Sequence, residues 1–278
     1  MKQIKNLILD MDGVLWLGMT PMPNLPQLFT TLDELGINYA LATNNASRTV
    51  DQYIAKFAKF GVQMEGWRIL SSAETTASYL QNEYPAGTTV FALGGDGLRV
   101  GLQNRGFNII NEMGVSIDLN NPPKPEDLGS AEVVVVGFNW QATYADFAHA
   151  TFHINNGARF IGCNPDASFP SEIGRMPGAG SLISLVQVAS GVEPTIIGKP
   201  NRYIYEEALK RLNSTPANTA MVGDRLDTDL LGAQNLGLIK ILVRSGISSD
   251  ADLPGHPVQP DYIFDDINAL VAALRTVY

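Results

Sequence analysis

The chain is poor in several residue types on which common protein functions depend. It has one cysteine, Cys163, among 278 residues, so no internal disulfide bond can form and a reducing cytoplasm is expected. It has no cluster of lysine or arginine, and 28 acidic against 19 basic residues give a formal net charge of −9. We therefore do not expect a nucleic acid as partner. A small anionic ligand stays compatible, because a bound metal ion and one lysine can reverse the local charge.

Long apolar runs are also missing. No stretch approaches the roughly 18 uninterrupted apolar residues of a membrane span. The N-terminal segment MKQIKNLILD has only a short apolar run and no small-residue cleavage site. We therefore expect no membrane partner, no signal peptide and a cytoplasmic location. What is present is an ordinary globular composition, with 45% hydrophobic residues over a length that suits one large or two modest domains.

Short apolar runs alternate with helical patterns, which is typical of a parallel sheet covered by helices. The predicted strands are 7–9, 39–42, 89–93, 133–136, 159–161, 195–197, 219–222, 240–243 and 262–264. The predicted helices are 24–35, 49–60, 203–212 and 227–236, three of them followed by glycine. The run VVVV at 133–136 is apolar at every position, so it predicts a strand buried on both faces.

The stretch LILDMDGVLW places Asp10 and Asp12 at the end of an apolar strand, directly before Gly13. In an extended chain, alternate residues project to the same side about 6–7 Å apart, so both carboxylates can flank one small ligand. Two close carboxylates raise each other's pKa unless a cation neutralises them. The alternative is that both residues begin a solvated loop, since aspartate is a favoured turn residue.

Three further polar stretches follow apolar runs: ATNNASRT with Thr43 and Asn44, IIGKPN with Lys199, and VGDRLDTD with Asp224 and Asp229. Ligands of open α/β sheets bind at the carboxyl ends of the strands, so we expect the four sites to converge on one crevice. Donors placed after a strand can cradle a phosphate, and three hard oxygen ligands suit Mg²⁺. Helix capping and a solvated lysine are the structural alternatives.

Together LDMDGVLW, ATNNASRT, GKP and VGDRLDTD, in that order, resemble the four motifs of the haloacid dehalogenase superfamily of phosphohydrolases. The long insertion, with GARFIGCNPD and RMPGAGSL in its later part, is similar to the cap of subfamily IIA. That group comprises NagD-like, para-nitrophenylphosphatase and phosphoglycolate phosphatase-like proteins. The resemblance covers essentially the whole chain. It implies an α/β fold: a Rossmann-like three-layer core with a parallel sheet (residues 1–80 and 191–278) and an inserted α/β cap domain (residues 81–190).

The resemblance also implies roles for individual residues. Asp10 matches the nucleophile and Asp12 the general acid/base, whose backbone carbonyl also faces the metal. Thr43 matches the residue that binds the transferring phosphoryl group, with Asn44 beside it. Lys199 matches the lysine that holds nucleophile and phosphate together.

The remaining matches concern the metal and the substrate. Asp224 matches the acidic Mg²⁺ ligand, and Asp229 a second acid that supports the metal or its waters. Asn164 and Asp166 lie in the part of the cap that helps to close the site, so they are either specificity residues or simple turn formers. The expected metal set is Asp10, Asp12, Asp224 and Asp229.

These roles imply Mg²⁺-dependent hydrolysis of a small phosphomonoester through an aspartyl-phosphate intermediate. One alternative is a phosphotransferase or mutase that passes the phosphoryl group to a sugar hydroxyl. Another is a non-catalytic phospho-binding regulatory module. The expected partner is a small phosphorylated metabolite, and the residues leave open phosphoglycolate, sugar phosphates, nucleotides and pyridoxal phosphate. The resemblance also suggests a homodimer formed through the cap.

Three other reactive residues are predicted to be structural. His149 and His153 have the spacing of a helical metal pair, but no HExxH motif accompanies them in the amphipathic segment YADFAHATFHI. Cys163 lies in an apolar run and is predicted to be buried packing. The glycines and prolines of residues 163–180 predict a shaped loop.

Overall fold

The computed structural model of the chain describes residues 1–115, 123–171 and 174–277. The strands are β1 (Asn6–Leu9), β2 (Trp16–Leu17), β3 (Thr20–Pro21), β4 (Asn38–Thr43), β5 (Ile69–Ser71), β6 (Thr89–Leu93), β7 (Asn108–Ile109), β8 (Val133–Val136), β9 (Arg159–Gly162), β10 (Ser168–Ser171), β11 (Gly174–Pro177), β12 (Thr195–Ile196), β13 (Thr219–Gly223), β14 (Ile239–Val243) and β15 (Tyr262–Phe264). The α-helices are α1 (Leu25–Glu34), α2 (Val50–Lys59), α3 (Ser72–Glu83), α4 (Asp96–Gln103), α5 (Tyr144–Asn155), α6 (Ala179–Ser190), α7 (Arg202–Leu212), α8 (Leu231–Leu236) and α9 (Ile267–Arg275).

One sheet has six strands in the order β15-β14-β13-β1-β4-β5. Strand β1 pairs in parallel with both β13 and β4, so Leu9 lies between Val222 and Leu41. Strand β14 pairs in parallel with β13 and β15. Because the strands are parallel, the carboxyl ends of β1, β4 and β13 lie side by side at one edge of the sheet.

Helices cover both faces of this sheet because alternate strand residues point to opposite sides. Leu7 and Leu9 belong to an apolar cluster that includes residues of α1, α2 and α9. Ile8, between them, belongs to another cluster with residues of α7 and α8. The predicted three-layer α/β arrangement around a parallel sheet is therefore confirmed.

A second sheet has five strands in the order β12-β9-β8-β6-β7, all paired in parallel. The four valines of β8 are completely buried, so the prediction of a strand buried on both faces is confirmed. Two short antiparallel hairpins, β2–β3 and β10–β11, complete the strands found in the described residues.

The chain divides into two compact units. The first comprises Met1–Thr43, Val50–Leu70 and Lys199–Tyr278, and the second comprises Asn44–Thr49 and Ser71–Gly198. Helix α3 and strand β12 therefore group with the second unit, although residues 1–80 and 191–278 were expected to form a single core. The predicted fold of a Rossmann-like core with an inserted α/β cap is confirmed, whereas the expected bounds of core and cap stay a prediction.

All nine predicted strands are present to within one residue at either end. The predicted helix 227–236 differs at its start, because Leu226–Leu230 form a π-helical turn before α8. The stretch 163–180 contains the β10–β11 hairpin and the start of α6, while residues 172–173 lie outside the described part of the chain. No helix within the described ranges is long and apolar enough to cross a bilayer.

Candidate active site

Three of the predicted site residues lie at the carboxyl ends of neighbouring strands. Asp10 directly follows β1, and its backbone N–H donates to the Val222 carbonyl at 2.9 Å. Thr43 is the buried last residue of β4, and Asp224 directly follows β13. The pairing of β1 with both neighbours therefore places these three residues at one edge of the six-stranded sheet.

Lys199 follows a strand that belongs to a different sheet from the strands that end at or just before Asp10, Thr43 and Asp224. The strand before Lys199, β12, pairs with β9 in the five-stranded sheet rather than with a strand of the six-stranded sheet. An apolar run shows that a strand is buried but not which sheet it joins, so the sequence could not separate these cases. Lys199 still reaches the first unit's sheet edge, where its Nζ donates to Asp10 Oδ1 at 2.5 Å and to the Ala42 carbonyl at 3.0 Å.

Asp10, Asp224, Asp229 and Lys199 form what we call the carboxylate–lysine group. One oxygen from each of the three carboxylates lies within 4.8 Å of the other two. Lys199 Nζ also lies 2.7 Å from Asp229 Oδ1. Each of the four residues is at most 6% exposed. When all four groups are ionised, the three carboxylates and one ammonium carry a net charge of −2, and burial makes that charge costly.

The pKa values reflect this crowding. Burial raises the pKa of Asp10 well above its ordinary value, and the carboxylates of Asp229 and Asp224 add to the rise against the opposing effect of Lys199. Burial, together with the charge of Asp229, raises the pKa of Asp224 to about 7. Burial alone would lower the pKa of Lys199, but Asp10 and Asp229 outweigh it and raise that pKa. The lysine therefore stays charged while the carboxylates lack a sufficient counter-charge.

The carboxylate–lysine group fits a hard divalent cation. Carboxylate oxygens are the ligands that Mg²⁺ prefers, and a charge of +2 would balance the net −2 of the group. Asp12 was expected to face the metal through its backbone carbonyl, which stays a prediction, and its carboxylate is not part of this group in the described chain. Asp12 is exposed, and its Oδ1 accepts a hydrogen bond from the Trp16 indole at 2.8 Å.

The carboxylate of Asp224 lies against two glycines. A Cβ atom on Gly13, which has a φ of +91°, would lie 2.5 Å from Asp224 Oδ2, and a Cβ on Gly246 would overlap the same oxygen. The Ile247 N–H donates to Asp224 Oδ2 at 2.8 Å, and the Ser245 hydroxyl donates to the Gly13 carbonyl at 2.6 Å. The loop after β14 thus holds Asp224, and sequence reasoning missed it. Its only signal was a glycine shortly after a predicted strand.

Asp229 is held by the turn in which it lies. Its Oδ2 accepts from the Arg225 backbone N–H at 3.2 Å, and its side chain fills the space that a Cβ on Gly223 would need. The buried hydroxyl of Tyr205 lies 3.0 Å from each of the Thr228 and Asp229 carbonyls, to which it donates. Burial, with the charges of Asp229 and Asp10, raises the pKa of Tyr205 well above its ordinary value. Tyr205 was not a sequence candidate, because a tyrosine within an amphipathic helix gives no sign of this contact.

A second polar group lies in the second unit. The Asn44 carbonyl accepts from the Ser72 hydroxyl at 2.6 Å and from Asn164 Nδ2 at 2.7 Å. Asn44 Nδ2 donates to Asp166 Oδ1 at 3.2 Å, and the Asp166 N–H donates to Asn164 Oδ1 at 3.2 Å. The structure thus joins three predicted substrate-binding residues, Asn44, Asn164 and Asp166, to one another through hydrogen bonds.

Comparison with known proteins identifies the family. Residues 7–108 match the model of the haloacid dehalogenase-like hydrolases, and residues 196–270 match the HAD-hydrolase-like model. The chain is 35% identical over 275 residues to the acid sugar phosphatase of Staphylococcus aureus, covering 99% of this chain and 100% of that protein. This chain belongs to the haloacid dehalogenase-like hydrolases.

Solved structures narrow the relationship within these hydrolases. The p-nitrophenyl phosphatase from Archaeoglobus fulgidus is 30% identical, with a TM-score of 0.86 over 97% of this chain and 99% of that chain. NagD from E. coli K-12 is 31% identical, with a TM-score of 0.81 over 95% of this chain and 97% of that chain. The predicted resemblance to subfamily IIA is therefore confirmed, and the chain is a phosphatase of that type.

Two other reactive side chains, Cys163 and His153, are buried, as expected of packing residues. Cys163 is fully buried, which raises the pKa of its thiol to about 12. His153 is buried between Phe91 and Phe152, and burial lowers its pKa. Within the described ranges, neither His149 nor His153 belongs to a cluster able to hold a metal ion.

Proposed function

We propose that this phosphatase hydrolyses small phosphomonoesters with Mg²⁺, by attack of the Asp10 carboxylate on phosphorus. The observation that carries the proposal is the burial of the carboxylate–lysine group at the strand ends, with the Lys199 ammonium 2.5 Å from Asp10 Oδ1. A phosphate monoester repels an anionic nucleophile, so positive charge has to be present before attack. Lys199 supplies part of that charge from within the protein.

The divalent cation would complete this charge. Asp10, Asp224 and Asp229 would hold it, and Mg²⁺ would neutralise the phosphoryl oxygens as a Lewis acid. Gly13 and Gly246 leave room for the Asp224 carboxylate, while the Ile247 N–H fixes one of its oxygens. The support for this assignment is the donor set itself and its uncompensated charge.

The reaction would proceed in two displacements. Asp10 forms a bond to phosphorus as the bond to the leaving oxygen breaks, which gives an aspartyl-phosphate. Asp12 donates a proton to the departing oxygen and then removes a proton from the water that attacks phosphorus. This second attack breaks the Asp10–phosphorus bond and yields inorganic phosphate. Thr43, buried beside Ala42 at the end of β4, would bind the transferring phosphoryl group.

We assign the substrate to the sugar phosphates. The support is the Staphylococcus aureus relative, which is named an acid sugar phosphatase and aligns with 99% of this chain. Asn44, Asn164 and Asp166, which hydrogen bonds join within the second unit, stay predicted substrate-binding residues. A homodimer through the cap stays a prediction.

The test is phosphate release from p-nitrophenyl phosphate and from a hexose 6-phosphate, measured with Mg²⁺ for the wild type and Asp10→Asn. Removing the nucleophile should lower turnover of both substrates by about 10⁴-fold or more. The matched control is Asp96→Asn, which removes an exposed carboxylate just after β6 of the other sheet and should leave turnover nearly unchanged.

Three results would overturn the proposal. Substantial turnover by Asp10→Asn would exclude Asp10 as the nucleophile. Transfer of the phosphoryl group to an added sugar, with free phosphate falling short of the alcohol released, would indicate a phosphotransferase or mutase instead. No phosphate release from any ester with Mg²⁺ present would favour a binding module.

A further inference from the structure

Asp12 is the one acid of the first motif that lies outside the carboxylate–lysine group, and a tryptophan holds it. The Trp16 indole N–H donates to Asp12 Oδ1 at 2.8 Å. The Gly13 N–H donates to the Trp16 carbonyl at 2.8 Å, so the backbone of this turn closes on itself as well. Asp12 is exposed, whereas Trp16 is fully buried. An exposed carboxylate thus accepts a hydrogen bond from the side chain of a fully buried residue.

The indole is itself held by helix α2. Its ring lies 5.0 Å from the ring of Phe57 in an edge-to-face contact and 5.9 Å from the ring of Phe60. The Lys56 ammonium lies 3.8 Å from the centre of the Trp16 ring and donates to the Gly18 carbonyl at 2.9 Å. Lys56 is buried, so its attraction to the ring face is little screened by water. The position of the N–H is therefore set by packing, by charge and by the turn.

This arrangement suits a carboxylic acid that has to deliver a proton in one direction. An indole nitrogen can only donate, so the oxygen that it contacts serves as the acceptor and the other oxygen is left to carry the proton. A general acid acts only when it lies within hydrogen-bond reach of the leaving oxygen. A hydrogen bond from the packed Trp16 indole reduces the number of rotamers that the Asp12 side chain can adopt.

We propose that Trp16 is a positioning residue for Asp12, and that Lys56 holds the indole in place. This inference rests on the proposed function, since it assumes that Asp12 is the general acid. It predicts that loss of the Trp16 indole lowers kcat/KM more for esters whose leaving group needs a proton. An alkoxide leaving from a hexose 6-phosphate needs that proton, whereas nitrophenolate is stable enough to leave without it.

The experiment compares kcat/KM for a hexose 6-phosphate and for p-nitrophenyl phosphate, since kcat/KM reports the step in which the leaving group departs. Trp16→Phe keeps an aromatic ring and removes the N–H. We expect kcat/KM to fall roughly 10- to 100-fold for the hexose phosphate and less than about 3-fold for p-nitrophenyl phosphate. Lys56→Met, which keeps the apolar stem, should show the same selectivity with a smaller loss.

Phe57→Leu is the control for packing, because it loosens the indole pocket and keeps the N–H. If the role of Trp16 is purely structural, kcat/KM will fall by the same factor for both esters in Trp16→Phe and in Phe57→Leu. That result would overturn the proposal. Asp12→Ala gives the reference selectivity. If Asp12→Ala shows no preference between the two esters, the assignment of Asp12 as the acid fails independently of Trp16.

A second measurement does not depend on activity or on the folding of the tryptophan variant. The chain has three tryptophans, so a ¹H–¹⁵N NMR spectrum contains three indole signals. We expect one signal to be strongly downfield and slow to exchange in the wild type, and to move upfield in Asp12→Ala. If none of the three signals responds to Asp12→Ala, the hydrogen bond does not exist in solution and the proposal is wrong.

Discussion

The two units of this phosphatase each contain a parallel sheet, but they carry different residues at the strand ends. Each sheet has buried central strands, such as β1 in one and β8 in the other. The residues that end or follow the strands of the first sheet are charged or polar: Asp10, Thr43 and Asp224. Those that follow β6, β8 and β9 of the second sheet are uncharged and small: Gly94, Gly137 and Cys163. The fold supplies equivalent positions in both sheets, and the residue placed there decides whether they carry chemistry.

The buried polar groups of the two units differ in their energetics as well. In the second unit, the Asn44 carbonyl accepts two hydrogen bonds from neutral donors, so its burial costs little. In the first unit, burial, together with neighbouring carboxylates, raises the pKa of Asp10 and Asp224. A buried, uncompensated charge opposes folding unless a ligand balances it. The buried carboxylates of the first unit are therefore consistent with a metal site, and the second unit has no counterpart of this group among the described residues.

Among variants that remove a charged group from one of the two units, Lys199→Met should have the largest effect on turnover. The variant removes the ammonium that contacts Asp10 and Asp229 and keeps most of the side-chain volume. We expect turnover of p-nitrophenyl phosphate to fall about 10³-fold, since both charge neutralisation and the position of Asp10 are lost.

The matched control removes an ion pair from the second unit. Arg105 pairs with Glu74 there, and Arg105→Met should leave turnover within about 3-fold of the wild type. Steady-state rates with saturating Mg²⁺ decide between the two. If Lys199→Met keeps more than about a tenth of the wild-type rate, the lysine has no part in charge neutralisation.

A smaller effect is expected from Gly246→Ala. The added methyl group would overlap the Asp224 carboxylate and displace it from the Ile247 N–H. We expect the Mg²⁺ concentration for half-maximal activity to rise roughly 10- to 100-fold, because ligand position governs metal affinity.

Gly101→Ala is the corresponding change in the second unit. Gly101 lies in α4, where a Cβ atom would meet its nearest neighbour at an ordinary 3.5 Å. Alanine there should leave Mg²⁺ dependence unchanged and raise the thermal midpoint slightly, since alanine favours helix more than glycine does. If both variants show the same Mg²⁺ dependence, the close contact between Gly246 and the Asp224 carboxylate does not govern Mg²⁺ affinity.

The sequence predicted what depends on local pattern. The strands were found because apolar runs separated by glycine and polar turns are local signals. Asp10 and Asp224 were found because each follows such a run. Helices α3, α4, α6 and α9 were not predicted, and for α6 the reason is visible in its segment AGSLISLVQVAS, whose apolar residues are spread around the helix.

What the sequence could not predict depends on contacts between distant segments. Tyr205 and Gly246 are ordinary residues until the fold brings them against Asp229 and Asp224. Trp16 stands four residues after Asp12, but nothing in that spacing shows that its indole points back at the carboxylate. The sheet to which β12 belongs likewise depends on long-range pairing. Such features require tertiary structure.

The smallest expected effect concerns the pH dependence of stability without metal. The pKa of Asp224 is about 7 in the folded chain, above its ordinary value of 3.8. Between about pH 4 and pH 7 the folded chain therefore keeps a proton that the unfolded chain has released, and stability falls as the pH rises. In EDTA, Asp224→Asn should have the higher thermal midpoint at about pH 7.5, by roughly 2–8 °C, and should lose this advantage near pH 4.

The second unit should respond to pH in the opposite direction. Burial lowers the pKa of His153, so the folded chain binds a proton less readily than the unfolded chain, and this contribution to stability grows as the pH rises through the ordinary histidine range. Saturating Mg²⁺ should reduce the slope due to Asp224, because the cation favours the ionised carboxylates, and should leave the slope due to His153 unchanged. If Mg²⁺ has no effect on the pH dependence of the wild-type midpoint, the carboxylate–lysine group does not bind the ion, and the contrast between the units is one of charge alone.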